Sequence, residues 1–273
     1  MSSNAPARPP LGLIAGAGGL PLIVCETAAV RGRPVAAVAF DAKTKELING
    51  HSDVKLFGLG QANSVIRHFA DAGVKEICFA GKIEKVSLFN KIAFDGRALK
   101  LMKKVVLRKS DTAIMKVIID ELEEEGFKVA KQTDWLPGLL PQKGLLGRQE
   151  PNAQVKSDFE FGVKICREIA RRDIGQTIIV KEGAVLAVEA AEGTDAAIER
   201  GCGLGGKNCV MIKHSRPKQD FRYDIPSIGP NTATLLVKHK AAGLAVEAKR
   251  TLLIDRRKTV SICDNAGIAF AAL

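Results

Sequence analysis

Residues Leu11 to Ala15 carry no polar side chain, and the run stops at Gly16-Ala17-Gly18-Gly19 before Leu20-Pro21 opens a second apolar stretch. A short continuous apolar run bounded by glycine reads as a strand buried on both faces, and the glycines read as a turn into a helix from about Leu22 to Arg31. The alternation then continues. Val35 to Phe40 is a second strand ending in Asp41, Gln61 to Ala72 a helix, Glu76 to Ala80 a third strand, Asp111 to Glu125 a helix with Ile114, Val117, Ile118 and Leu122 at helical spacing, and Phe127 to Lys131 a fourth strand. Strands separated by helices predict a largely parallel sheet, because parallel neighbours need a crossover. Glu123, Glu124 and Glu125 are read as the solvated end of their helix.

The strand, glycine turn and helix make an anion-binding geometry available, since turn amides and a helix N-terminus both favour negative charge. The third glycine of a dinucleotide fingerprint would fall at position 21, where the chain has Pro21. A plain tight turn is the competing reading. Gly81-Lys82 falls at the carboxyl end of the third strand, where open α/β sheets place ligands, so Lys82 is a candidate phosphate contact or one more exposed lysine.

From Leu136 to Asn152 three prolines and three glycines break all periodicity, which predicts a linker between two domains. Beyond it come a helix from about Ser157 to Arg172, strands Thr177 to Val180 and Ala184 to Val188 joined by Lys181-Glu182-Gly183, and an acidic turn Glu189 to Asp195 before another helix. Val210 to Lys213 is a further strand. After Asn231 the pattern gives a helix to about Ala242, strands near Leu244 to Glu247 and Thr251 to Ile254, a helix from about Arg257 to Asn265 and a last strand to Phe270.

Between the strand at Lys213 and the helix after Asn231 lies Lys218-Gln219-Asp220-Phe221-Arg222-Tyr223-Asp224-Ile225-Pro226-Ser227-Ile228-Gly229-Pro230. Pro226 and Pro230 each lack an amide proton and push the preceding residue toward extended geometry, so this is an irregular loop. If it is extended, Asp220, Arg222 and Asp224 share one face. That face suits a divalent cation, with Arg222 orienting a carboxylate or gripping a phosphate. An edge strand with Asp220 or Asp224 paired to Arg222 fits the spacing as well. Convergence with the Glu189 to Asp195 turn would build a metal site, although Asp195 can equally cap its helix.

The 46% hydrophobic composition fits a globular chain, and 273 residues suffice for two ordinary domains. Six cysteines without a CxxC pair argue against zinc and against a disulfide framework, and are read as reduced core residues. No stretch reaches the ~18 apolar residues of a membrane span, and the start has no apolar core before Leu11, so a cytoplasmic protein is expected. The formal charge of +11 favours acidic partners. With one Trp and one Tyr, stacking platforms for nucleic acid are scarce. A phosphorylated small molecule or an anionic bilayer surface accounts for the charge equally well.

The motifs AGAGGLP, GLGQ, FAGKIEKVSLF, DIGQTIIVKEGAVLAVEAAEGTDAAI, QDFRYDIPSIGPNT and AGLAVEAKRTLLIDR together resemble the LpxI type of UDP-2,3-diacylglucosamine pyrophosphatase, from Leu11 to near the end of the chain. The resemblance implies a lipid A pathway hydrolase that splits UDP-2,3-diacylglucosamine into UMP and 2,3-diacylglucosamine 1-phosphate with a divalent metal, Mg2+ being the expected ion. The resulting expectation is an α/β protein of two domains, an N-terminal Rossmann-like βα domain (1–135) and a C-terminal mixed α/β domain (153–273), joined by the linker 136–152. Asp224, Asp220 and Arg222 are the expected catalytic residues. Substrate contacts are expected at Gly16, Ala17, Gly18, Gly19, Lys82, Thr194 and Lys213, and metal ligands among Asp224, Asp220, Glu189, Glu192 and Asp195. Expected partners are the lipid-linked substrate and the anionic cytoplasmic face of the inner membrane, with no nucleic acid; a homodimer stays open. The alternative is a nucleotide-dependent oxidoreductase.

Overall fold

A computed structural model describes residues 8–82, 94–106 and 111–273. The part of the FAGKIEKVSLF motif beyond Lys82 lies outside them. The chain divides into two compact units, Met1–Leu136 with Phe221–Tyr223, and Pro137–Asp220 with Asp224–Leu273.

The first unit contains β1 (Leu11–Ala15), α1 (Leu20–Val30), β2 (Val35–Ala39), α2 (Ala42–Ile48), β3 (Asp53–Leu56), α3 (Ala62–Asp71), β4 (Glu76–Ala80), α4 (Gly96–Val106), α5 (Asp111–Glu124), β5 (Lys128–Val129) and α6 (Gln132–Trp135). Its sheet has the order β3-β2-β1-β4-β5 with every pair parallel. Every residue of β1 and β2 is buried, which is why both read as unbroken apolar runs. Ile14, Val38, Phe69, Ile77 and Ile119 lie in one core cluster. The strand expected over Phe127 to Lys131 is only Lys128–Val129, because the Gln132 amide donates to the Phe221 carbonyl at 2.7 Å and α6 begins there. Apolar periodicity gives no sign of α2, whose cap is Asp41 accepting from the Thr44 amide at 2.7 Å, or of β3, a largely exposed strand at the sheet edge.

The second unit contains β6 (Gly144–Leu145), α7 (Ala153–Arg171), β7 (Thr177–Lys181), β8 (Ala184–Val188), α8 (Thr194–Gly205), β9 (Val210–Lys213), β10 (Ser227–Ile228), α9 (Pro230–Lys238), β11 (Gly243–Val246), β12 (Leu252–Leu253), α10 (Arg256–Asn265) and β13 (Ala269–Ala272). Six strands make a mixed sheet in the order β6-β13-β11-β9-β7-β8, and β10 pairs separately with β12. In that sheet β9, β11 and β13 are parallel, while β7 is antiparallel to both β9 and β8. The ends of β8, β9 and β11 and the start of β7 therefore share one edge, where Lys213, Thr177 and the Glu189 to Asp195 turn lie. Residues 137–152, expected as a linker, group with this unit. Their strand β6 pairs with β13, the Leu146 amide donates to the Phe270 carbonyl at 2.8 Å, and Leu146 packs on the core, so part of this Gly- and Pro-rich run is spent covering an open sheet edge. The β7–β8 turn is held by buried Asp158 of α7, which accepts from the amides of Glu182 (3.0 Å) and Gly183 (2.8 Å).

Candidate functional site

In the first unit, the turn after β1 and the turn after β4 are locked together. The Ala17 amide donates to the Lys82 carbonyl at 2.8 Å, and the Lys82 amide returns a bond to the Ala17 carbonyl at 2.9 Å. Only glycine fits the contact. A Cβ on Gly16 would stand 2.7 Å from the Lys82 carbonyl oxygen, and one on Gly81, at φ +87°, would run into the carbonyl oxygen of Gly16. Gly16 is thus a packing residue, whereas Gly18 and Gly19 face open space, and Ala17, Gly18 and Gly19 are exposed. Gly19 precedes α1, whose first turn holds Pro21, so the exposed glycines lead into a helix N-terminus. Because β1 lies between β2 and β4, the place is the switch point of the sheet, where such folds admit ligands. The structure brings Gly16 to Gly19 and Lys82 together through the Ala17–Lys82 bridge, with Lys82 itself exposed.

In the second unit, the shared edge gathers a buried polar cluster around Lys213, the last residue of β9. Its Nζ donates to the hydroxyls of Thr177 (3.0 Å) and Thr194 (2.8 Å) and lies 3.8 Å from Glu189 Oε2. Thr194 donates to Glu189 Oε1 at 2.7 Å, and the Gln176 amide donates to Glu189 Oε2 at 3.3 Å. Burial pushes the Lys213 ammonium below its ordinary range, opposed by the negative charges of Glu189, Asp195 and Asp224 among others. Lys213 is thus an internal tie that fixes the first turn of α8 to β7 and β9.

The segment after β9 forms a turn. The Asp224 amide donates to the Asp220 carbonyl at 3.0 Å, which removes the alternation that would have put Asp220, Arg222 and Asp224 on one face. Asp220 and Asp224 group with the second unit, whereas Phe221 to Tyr223 group with the first, where Tyr223 packs on the core and Arg222 donates to Glu123 at 3.0 Å. Burial of an aromatic side chain has overridden the strand period. Glu123, exposed at the end of its helix as expected, also pairs with Arg222. Asp224 is half-buried, with Oδ2 accepting from Arg216 Nη1 at 2.7 Å. Burial raises its carboxyl above the usual carboxylate range, and the guanidinium of Arg216 works against that rise.

Several neighbours of Asp224 and Lys213 escape the sequence reading. His214, Ser215 and Arg216 follow β9, and Glu247 follows β11, with Arg250 three residues on. Their signal is position alone: each is a polar residue just past the carboxyl end of an apolar strand, where such sheets carry function.

Two family models match the chain, the LpxI N-terminal domain over residues 10–139 and the LpxI C-terminal domain over residues 142–271. The chain belongs to the LpxI family. It is 31% identical over 268 residues to a protein of Caulobacter vibrioides named UDP-2,3-diacylglucosamine pyrophosphatase LpxI, covering 94% of this chain and 95% of that one. Within this LpxI chain, the Gly16 to Gly19 turn lies in the N-terminal match, and Lys213, Asp220 and Asp224 lie in the C-terminal match.

The carboxylates expected to bind metal do not form a ready cage. Among the described residues, no three His, Cys, Asp or Glu side chains gather closely enough to hold an ion. Glu189 is engaged by Thr194 and Lys213, Glu192 pairs with Arg200 at 2.6 Å, and Asp195 sits on the first turn of α8. A hard cation such as Mg2+ asks for less, since one or two carboxylates can hold it when substrate phosphates and waters fill the remaining positions. Asp224 and Asp220 lie in one turn, joined through the Asp224 amide and the Asp220 carbonyl, and one oxygen of Asp224 is bonded to Arg216.

Proposed function

We propose that this chain hydrolyses the pyrophosphate bond of UDP-2,3-diacylglucosamine to UMP and 2,3-diacylglucosamine 1-phosphate, in lipid A biosynthesis. The observation that carries the reading is the pair of LpxI domain matches that together span residues 10–139 and 142–271. The strand order β3-β2-β1-β4-β5 supports a Rossmann-like description of the first unit, and its exposed Gly18-Gly19 turn suits the phosphate side of a nucleotide. The oxidoreductase alternative draws no support from either match.

Splitting a phosphoanhydride requires a water placed for attack on phosphorus, stabilisation of the charge that gathers on its oxygens, and a phosphate leaving group that departs without a proton. Asp224 is assigned to orienting and deprotonating that water or to holding the metal, with Asp220 beside it in the same turn. Lys82 and Arg222 are assigned to phosphate oxygens, which their cationic donors suit. Lys213 and Thr194 are assigned to support, since they bond to each other and to Glu189. Glu189, Glu192 and Asp195 are assigned no ligand role. Mg2+, held by Asp224 and Asp220, would neutralise phosphate charge when bound.

The test is to incubate the purified chain with UDP-2,3-diacylglucosamine in detergent, with and without EDTA, and to measure UMP. UMP release that EDTA abolishes and added Mg2+ restores is the expected result. Release that EDTA leaves unchanged would remove the metal while keeping the hydrolase, and absence of UMP would remove the hydrolase.

A further inference from the structure

The three residues that leave β9 are fastened to the neighbouring strand end with more bonds than a surface turn needs. Glu247, directly after β11, receives the Ser215 amide at 2.9 Å and the Ser215 hydroxyl on Oε2, with His214 Nδ1 at 3.3 Å from the same oxygen. Arg250 Nε donates to Ser215 Oγ at 2.7 Å and lies 3.4 Å from Glu247 Oε1, while its Nη2 donates to the Arg216 carbonyl at 3.1 Å. The Ser215 hydroxyl thus serves once as donor and once as acceptor, and the backbone on both sides of it is tied down.

This fastening presents the side chain of Arg216. Its Nη1 donates to Asp224 Oδ2 at 2.7 Å, and its Nε stands 2.5 Å from Asp173 Oδ1 without meeting hydrogen-bond geometry. Gln219 closes the loop from the other side, accepting from the Arg216 amide at 2.9 Å and donating from Nε2 to the Asp224 carbonyl at 2.7 Å. Both the carboxylate and the backbone of Asp224 are therefore held from Arg216 and its loop. An ordinary exposed ion pair contributes little and leaves its partners free to move, whereas here the arginine is anchored through its own backbone.

We infer that Arg216 is a positioning residue for Asp224, and that Glu247 with Arg250 is the clasp that sets Arg216. The inference rests on the proposed hydrolase activity. The clasp fixes the guanidinium, the guanidinium fixes one carboxylate oxygen of Asp224, and the carboxylate so held is the one assigned to the water or metal. A displaced carboxylate costs rate, because misplacement of about 1 Å at a reacting group is worth roughly 100-fold.

The experiment measures kcat and KM for UMP release from UDP-2,3-diacylglucosamine in detergent, for the wild type, R216A, R216K, E247Q, D224A and the D224A/R216A double variant. We expect R216A to lose about 100-fold in kcat with KM within about threefold, since a group acting only through Asp224 leaves substrate binding alone. R216K and E247Q should fall in between, and millimolar guanidinium should restore R216A by about tenfold or more but leave D224A/R216A unchanged. The double variant should be no slower than D224A, the non-additivity of residues acting as one unit. Additive losses would overturn the inference. A raised KM with kcat kept would overturn it too, making Arg216 a substrate phosphate contact. If R216A fails to fold, R216K and E247Q carry the same comparison, and wild-type kcat in both would overturn the inference. A wild type that releases no UMP removes the hydrolase reading, and this inference with it, before any variant is compared.

Discussion

Asp224 stands in two opposing environments, a half-buried site that raises its proton affinity and an arginine that lowers it. A half-buried ion pair of this kind is weak evidence for a stabilising role, because it carries a desolvation cost that an exposed pair avoids. We expect Asp224→Ala to fold and to bind substrate while turnover falls by about 100-fold or more, as for loss of a metal or water-activating group. Turnover within a few-fold of wild type, measured as UMP release, would make Asp224 a structural residue. Gly81 makes the opposite kind of demand. With φ at +87° and the Gly16 carbonyl in the way of any Cβ, it meets backbone that cannot rotate away. Gly81→Ala should therefore cost about 1–3 kcal/mol, seen as a lower urea midpoint with unchanged slope. An unaltered midpoint would mean that the two turns separate easily.

Among the elements, strands with an apolar run of their own are legible in the sequence and those that exist only through pairing with a neighbour are not. Glu76–Ala80, Ala184–Val188 and Val210–Lys213 have the bounds that their apolar runs predict. The two-residue β6 is invisible because nothing local makes it a strand; it exists through pairing with β13. The hairpin of β7 and β8 is announced by Glu182-Gly183, both of which take positive φ. Asp158, which grips that turn from α7, is not, since a contact 24 residues away leaves no periodic trace. Asp158→Ala removes the acceptor of two turn amides and should lower stability by about 1–2 kcal/mol, with the earliest amide exchange at Glu182 and Gly183. Unchanged exchange there would show that the turn residues alone hold the hairpin.

For the whole molecule, the charge of +11 needs a task, and no helix among the described residues is long and apolar enough to cross a membrane. We propose reversible docking on an anionic bilayer, each nearby Lys or Arg adding about 1 kcal/mol, because two acyl chains at ~0.8 kcal/mol per buried methylene keep the substrate in the membrane. Co-sedimentation should show binding to phosphatidylglycerol vesicles and none to phosphatidylcholine vesicles, with binding lost near 1 M salt, where the Debye length is roughly 3 Å. Binding that persists in molar salt, or is absent at low salt, would confine the basic charge to work on the diphosphate.

Sequence alone determined the alternation of strand and helix, the parallel sheet it requires in the first unit, the irregular loop from Lys218 to Pro226, though not the short strand β10 (Ser227–Ile228) that follows it, and the family to which the motifs belong. Those properties are carried by residues within a few positions of one another, where apolar periodicity and proline geometry act. Tertiary structure decided which polar residues meet. Ser215 and Glu247, 32 residues apart, touch because adjacent parallel strands end side by side. Lys213, expected at a phosphate, is instead enclosed by Thr177, Thr194 and Glu189. The alternation of Asp220, Arg222 and Asp224 was lost because Phe221 to Tyr223 group with the first unit, Tyr223 packing on its core, while the flanking aspartates stay with the second. Apolar burial is non-directional and readable from composition along the chain, but the pairing of a buried charge depends on which strand lies next to which.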